Sequence, residues 1–196
     1  MIITSDKLQA RQLHIDIPND VELIAVEIKT EDVVIGNIYM PPATRTWDKN
    51  VYKKMMEDTT QAIRMLLQDP EDNNKWVILN GDFNSNIDWE NMEVKSNSNM
   101  WDKNVVKFMQ DFFLHQHIQY FTRKRGLEEP SILDLVFTRQ KDDVNNIMYR
   151  PPAGMSDHVL LEYSFLVTYD VIIEENYKKH AKLQKWELCR TKKIFQ

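Results

Sequence analysis

The chain has 196 residues, 42% of them hydrophobic, which is enough for one domain with a buried core and too few for a second full domain. Its single cysteine, Cys189, excludes an intramolecular disulfide, and the lack of a membrane-length apolar run or secretory signal leads us to expect an intracellular protein with no membrane partner. The net charge of −5 divides into +4 on residues 174–196 and −9 on the rest, which argues against a nonspecific coat on nucleic acid.

The first predicted elements are a strand hairpin and a helix. Two β-branched runs, Val21–Ile28 and Val33–Met40, are separated by Lys29–Asp32, which predicts two antiparallel strands. Asp48–Leu67 then shows apolar residues at helical spacing, and Asp48 is placed to cap the first turn.

A buried strand and a second helix are predicted next. Trp76–Leu79 is short and apolar, and it delivers Gly81 and Asp82 at its C-terminal end, a place that ligands and catalysts favour. The second amphipathic helix has six large apolar residues on one face: Trp101, Val105, Phe108, Met109, Phe112 and Phe113.

The last part of the chain reads as four strands and a tail. The four predicted strands are Gln119–Thr122, Ser131–Thr138, Asn145–Tyr149 and Val159–Val167. After about residue 170 the pattern becomes a polar, basic, helix-like stretch over Glu174–Lys193. We therefore expect a domain over residues 1–170 and an appended basic tail or linker over residues 171–196.

Three acidic strings follow or lie within the apolar runs. They are Gly81-Asp82-Phe83-Asn84, Ile132-Leu133-Asp134-Leu135-Val136-Phe137 and Met155-Ser156-Asp157-His158-Val159. Each string alone is a weak signal, since the first is more often an ordinary turn after a strand. Together they supply the groups needed to hold a divalent cation, activate a water and steady a phosphate. Their order predicts a metal-dependent phosphodiesterase.

The order of these motifs resembles the endonuclease/exonuclease/phosphatase family. One branch is especially similar, the endonuclease domain of non-LTR retrotransposons, which precedes a reverse transcriptase. The residues that carry this resemblance are Asp82 to Asn84 running into Ile87-Asp88-Trp89, then Phe113 to His117, Thr122-Arg123, and Pro130 through Thr138. The resemblance covers about residues 21–165. It implies an α/β fold, a two-sheet α/β sandwich of the endonuclease/exonuclease/phosphatase type that lacks its first N-terminal strands.

The resemblance also implies the roles of four residues around the reacting phosphate. Asp82 would orient and deprotonate the attacking water, and Asn84 would hold that water or the phosphate. His158 would contact a phosphate oxygen, while Asp134 accepts a hydrogen bond from the other ring nitrogen and fixes the tautomer.

Metal and DNA contacts are implied in the same way. Asp157 would face the cation, Mg²⁺ or Mn²⁺, because carboxylate oxygens and retained waters suit both ions. Tyr39 would donate a hydrogen bond to charge developing on the phosphate. Arg123 and Arg125 would contact the phosphates of DNA, and a nuclear location is compatible with this family.

The N-terminus departs from the family pattern, which places an early Asn and then a metal-binding Glu at strand ends. Glu22 and Glu27 are the tempting substitutes, but both lie in a strand that matches a structural part of the family. We therefore expect a chain that starts inside the fold and leaves a sheet edge or face exposed.

Four hypotheses about function remain. The first is an enzyme that nicks DNA and leaves a 3′ hydroxyl for a reverse transcriptase, and the second is an inactive remnant of it. The third is a non-catalytic module that binds nucleic acid or protein. The fourth and weakest is a phosphatase or phospholipase of the same superfamily, because the shared chemistry does not define the substrate.

Overall fold

The computed structural model describes residues 2–18, 20–44, 46–68 and 75–167, together with the backbone of residues 184–189. Among these described residues, the helices are α1 (Lys49–Gln68) and α2 (Met100–Asp111), and a 3₁₀ turn spans Lys141–Asp143. Its strands, in chain order, are β1 (Ala10–Leu13), β2 (Glu22–Ile28), β3 (Val33–Tyr39), β4 (Trp76–Asp82), β5 (Ile87–Asp88), β6 (Glu93–Val94), β7 (His115–Gln116), β8 (Asp134–Thr138), β9 (Val144–Arg150), β10 (Leu160–Val167) and β11 (Gln184–Cys189).

The main sheet has six strands in the order β1-β2-β3-β4-β8-β7. The predicted hairpin is confirmed, since β2 and β3 pair antiparallel along their whole length. β3 and β4 are parallel, with α1 as the crossover between them, while β8 returns antiparallel beside β4. The Asp48 carboxylate accepts the N–H groups of Asn50 and Val51 at 2.9 and 3.1 Å, which confirms it as the helix cap.

Two apolar cores lie on opposite faces of this sheet. On one face α1 and α2 pack their buried residues, including Ile63, Trp101 and Phe108, against β3, β4 and β8. On the other face β9 and β10 pack a second core that includes Leu161 and Phe165. The resulting architecture is a two-sheet α/β sandwich. Neither helix in the described part of the chain is both long and hydrophobic enough to cross a membrane.

Two predicted elements and one predicted core position are wrong. Gln119–Thr122 is not a strand, because the N–H groups of Gln119 and Tyr120 lie against the Tyr149 hydroxyl rather than a neighbouring strand. Phe113 is 82% exposed, since it follows the end of α2 with φ of +53° and leaves the helical face.

The third error concerns the tail. The helix-like stretch expected over Glu174–Lys193 is a strand at Gln184–Cys189, which pairs antiparallel with β10. The remaining residues of that stretch lie outside the described residues. The domain boundary near residue 170 stays a prediction.

Candidate active site

Three polar residues lie side by side in one row across the adjacent strands β3, β4 and β8 of the main sheet. Tyr39 lies opposite Asp82, and Asp82 lies opposite Asp134, in the registers of β3, β4 and β8. Side chains alternate along a strand, so all three lie on the same face of the sheet as Ile78 and Val136. This face packs towards β9 and β10. Asp82 and Asp134 are 1% and 3% exposed, and burial strengthens the electrostatic coupling between them.

His158 joins this row from the loop before β10. Its Nδ1 lies 2.6 Å from Oδ2 of Asp134, and its side chain is only 10% exposed. With the proton on Nδ1, the ring donates to the carboxylate and Nε2 stays available as an acceptor or a metal ligand. The carboxylate therefore orients the ring and favours the Nδ1–H tautomer, while the catalytic roles that the resemblance implies for this pair stay a prediction.

Asp82, Asp134 and His158 form a group of potential metal ligands. One ligand atom from each lies within 4.8 Å of the others. Two buried carboxylates on adjacent strands repel each other when both are ionised, and a divalent cation between them removes that repulsion. Oxygen ligands suit Mg²⁺ and Mn²⁺, and an imidazole nitrogen is better tolerated by Mn²⁺. The residues present therefore fit such a cation.

The Gly81-Asp82-Phe83-Asn84 string turns the chain sharply at the end of β4. A Cβ on Gly81 would lie 2.0 Å from the carbonyl oxygen of Ile38, so only glycine allows the strands to approach this closely. Asn84 has φ of +44°, a conformation that Asn tolerates better than most residues. Its side-chain Nδ2 donates to the Met40 carbonyl at 2.9 Å, which holds Asn84 beside Asp82.

The first turn of α2 anchors the same string, a role that the sequence analysis missed. Trp101 Nε1 donates to the Phe83 carbonyl at 2.6 Å, and the indole is fully buried. Asp102 accepts the N–H of Asn86 at 2.7 Å and that of Asn99 at 2.8 Å. The sequence does contain a signal for this anchor, because Asn99 and Asp102 have the spacing of a capping box.

Asp157 lies beside the group of three but is held by another partner. Its Oδ2 accepts a hydrogen bond from Arg123 Nε at 2.9 Å, and its Oδ1 is 3.9 Å from His158 Nε2. Burial raises the pKa of Asp157, but the hydrogen bond and charge of Arg123, together with His158, outweigh it and leave that pKa lowered. Arg123 also contacts Glu128 at 2.9 Å, while Arg125 is exposed in the following loop.

The two carboxylates considered as substitute metal ligands lie at opposite ends of β2. Glu22 is opposite Tyr39, and its charge adds to burial and to Asp82 in raising the pKa of that phenol. Glu27 is buried at the far end, where Lys75 and Arg11 contact it at 2.9 and 2.7 Å. Glu27 is therefore part of a structural ion-pair cluster away from the row of site residues.

Two histidines, His115 and His117, lie just after the end of α2. His117 Nε2 lies 2.7 Å from Thr138 Oγ1, and burial lowers the pKa of His117 to about 4, with a smaller contribution from His115. His115 is exposed. Among the described residues, neither histidine belongs to the group of potential metal ligands.

A groove of about 890 Å³ opens beside the site. Asn84 and Arg123 line its edge next to the carboxylates, and Ile87, Phe121 and Ile132 supply apolar walls. The lining of the groove includes the neighbours of the site, Asn84 and Arg123, and none of the residues in the row itself.

Comparisons with known proteins identify the family and the fold. A family model described as endonuclease-reverse transcriptase matches residues 33–162. The endonuclease domain of TRAS1, a telomere-specific non-LTR retrotransposon, superposes with a TM-score of 0.52 at 13% identity, over 76% of this chain and 75% of that one. The 3′-5′ exonuclease NExo from Neisseria meningitidis gives a TM-score of 0.54 at 15% identity, over 81% and 71%. The comparison with curated proteins gives no significant match. At these identities the two structures establish a shared fold.

Proposed function

Because this chain belongs to the endonuclease/exonuclease/phosphatase family, we propose that it is a metal-dependent phosphodiesterase that cuts DNA. The observation that carries the proposal is the buried Asp134–His158 pair, joined at 2.6 Å, next to Asp82. A carboxylate that fixes an imidazole beside a second buried carboxylate provides both a proton acceptor and a group that faces a phosphate oxygen.

The acidic group would hold the cation. Asp82 and Asp134 would supply carboxylate oxygens, and Asp157 would supply a further carboxylate at the rim of the group, while His158 stays bonded to Asp134. The chemistry that a bound Mg²⁺ or Mn²⁺ supplies is Lewis-acid neutralisation of the phosphate charge.

The chain's own residues would transfer the proton, orient the reactants and stabilise the developing charge. Asp82 accepts the proton of the attacking water, and Asn84, fixed by its bond to Met40, orients that water or the phosphate. When the His158 ring carries a proton on both nitrogens, Nδ1 donates to Asp134 and Nε2 donates to a phosphate oxygen. Tyr39 donates a hydrogen bond to the charge that develops there, and the raised pKa of its phenol keeps the donor protonated at neutral pH.

DNA is the proposed partner. Arg123 borders the groove and Arg125 is exposed in the adjacent loop, which supports the proposal that both would contact DNA phosphates. A cut that leaves a 3′ hydroxyl would provide a primer for a reverse transcriptase encoded with the same element. The description of the matching family model supports this retrotransposon-type role.

The test is nicking of supercoiled plasmid by the purified chain, with Mg²⁺ or Mn²⁺ against EDTA, alongside His158→Ala and Asp82→Asn. We expect cation-dependent nicking that falls at least about a hundredfold in either variant, which retains only positioning and binding. Circular dichroism of each variant shows that it is folded. Nicking that survives both substitutions contradicts the proposal, and phosphate release from 3′-phosphate ends without nicking favours a phosphatase instead.

DNA binding without cleavage is the second candidate. It is favoured by the engagement of Asp157 with Arg123, which leaves three groups in the cluster among the described residues. Binding that persists in EDTA and weakens with salt, without nicking by a folded chain that binds Mn²⁺, would support this candidate.

A further inference from the structure

Thr122 is a fully buried residue between β7 and β8 that takes no part in the chemistry proposed above. Its hydroxyl oxygen accepts hydrogen bonds from the backbone N–H groups of Leu133 and Asp134, both at 3.0 Å. A hydroxyl oxygen has two lone pairs and can accept both. The Thr122 side chain therefore fixes the backbone of Leu133 and Asp134, and with it the position of the Asp134 side chain.

The backbone of Thr122 extends this link in both directions. Its N–H donates to the Ser131 carbonyl at 2.9 Å, on the segment that leads to Asp134. Its carbonyl accepts the N–H of Val159 at 2.8 Å, directly after His158. Thr122 is thus bonded to both segments whose side chains meet in the Asp134–His158 pair.

We propose that Thr122 is a positioning residue that keeps Asp134 and His158 within hydrogen-bond distance and so selects the tautomer of the imidazole. The two partners are 24 residues apart in the chain and 2.6 Å apart in the fold. A displacement of about 1 Å at a reacting group can lower a rate by about a hundredfold, so the link has a catalytic consequence. That consequence rests on the proposed phosphodiesterase function, whereas the effect on the imidazole does not.

The hydroxyl, rather than the volume of the side chain, is the group that matters. Thr122→Val keeps the shape but leaves the buried N–H groups of Leu133 and Asp134 without an acceptor, and buried donors move or recruit water to regain one. Thr122→Ser keeps the acceptor and loses only a methyl group. If Thr122 only filled space, Thr122→Val would keep the Asp134–His158 pair and Thr122→Ser would disturb it.

The experiment measures the His158 imidazole and DNA nicking together. Ring ¹⁵N shifts of the neutral imidazole give the fraction of the Nδ1–H tautomer. The wild-type chain, Thr122→Ser and the control Thr59→Val, a buried threonine on α1, should keep this tautomer. Thr122→Val should give a mixture and lower kcat by about ten- to a hundredfold, with KM changed by less than about threefold.

The proposal is overturned if Thr122→Val leaves the tautomer unchanged, or if Thr122→Ser loses it equally. Should the valine variant fail to fold, Thr122→Ala and Thr122→Ser make the same comparison. Absence of nicking by every folded chain would contradict the phosphodiesterase function, while the ¹⁵N shifts would still decide the role of Thr122.

Discussion

Tyr39 and Asp82 lie directly opposite each other at the ends of the parallel strands β3 and β4. Burial and then the charge of Asp82 raise the pKa of the Tyr39 phenol, so the hydroxyl stays protonated when the carboxylate is ionised. A hydrogen-bond donor and a proton acceptor therefore coexist side by side at neutral pH.

Tyr39→Phe removes that donor and leaves the ring. We expect kcat for nicking to fall about a hundredfold with little change in KM, because the hydrogen bond is made to charge that develops in the transition state. Steady-state nicking kinetics measure kcat and KM separately. Tyr120→Phe, on an exposed aromatic ring, is the matched control, and an equal loss in both variants would contradict the role of Tyr39.

Trp101→Phe should destabilise the chain and slow nicking. It leaves the buried Phe83 carbonyl without its indole donor and creates a small cavity, at a combined cost of about 2–4 kcal/mol. Urea unfolding measures the free energy. Trp47→Phe, on a partly buried indole that packs against Tyr52, should cost less than about 1.5 kcal/mol. Equal costs would show that the hydrogen bond to Phe83 contributes nothing.

Arg123→Gln should weaken DNA binding at all sequences. Loss of one phosphate contact reduces the slope of log affinity against log salt by about one. Fluorescence anisotropy at several salt concentrations measures this slope. Arg64→Gln is the control, because Arg64 is paired with Asp111 on the helical side of the sheet. An unchanged slope for the Arg123 variant would exclude a phosphate contact.

Glu27→Gln should lower the free energy of unfolding by about 1.5–3 kcal/mol at pH 7, because the buried carboxylate accepts charged hydrogen bonds from Lys75 and Arg11. The Lys75 hydrogen bond is the largest cause that lowers the pKa of Glu27 in the folded chain. The stabilisation is therefore complete above the unfolded pKa of about 4.3 and is lost as pH falls through the lowered folded value.

Urea unfolding of the Glu27→Gln variant and the wild-type chain across this pH range measures that difference. It should shrink towards zero in acid. Glu57→Gln, in an exposed pair with Lys53, should show little effect at any pH. A difference for Glu27 that stays constant with pH would mean that the ionised form is not the stabilising one.

The regular elements could be predicted from the sequence wherever the hydrophobic period was strong and local. The β2–β3 hairpin, both helices and the position of Asp82 at a strand end follow from such periods. Gln119–Thr122 was misread because its backbone N–H groups bond to the Tyr149 hydroxyl and to the Ser131 carbonyl rather than to a regular strand. Phe113 was misread because a helix period does not show where the helix ends.

The sequence by itself determined the chemistry of this protein: which carboxylates, amide and imidazole are present, and that they follow apolar strands. Only the tertiary structure decided which of them meet. Asp134 pairs with His158, whereas Asp157 is bound to Arg123, and Thr122 joins the two segments from a third. The physical reason is that periodicity fixes the face of a side chain, while strand register and buried hydrogen bonds between distant segments fix its neighbours.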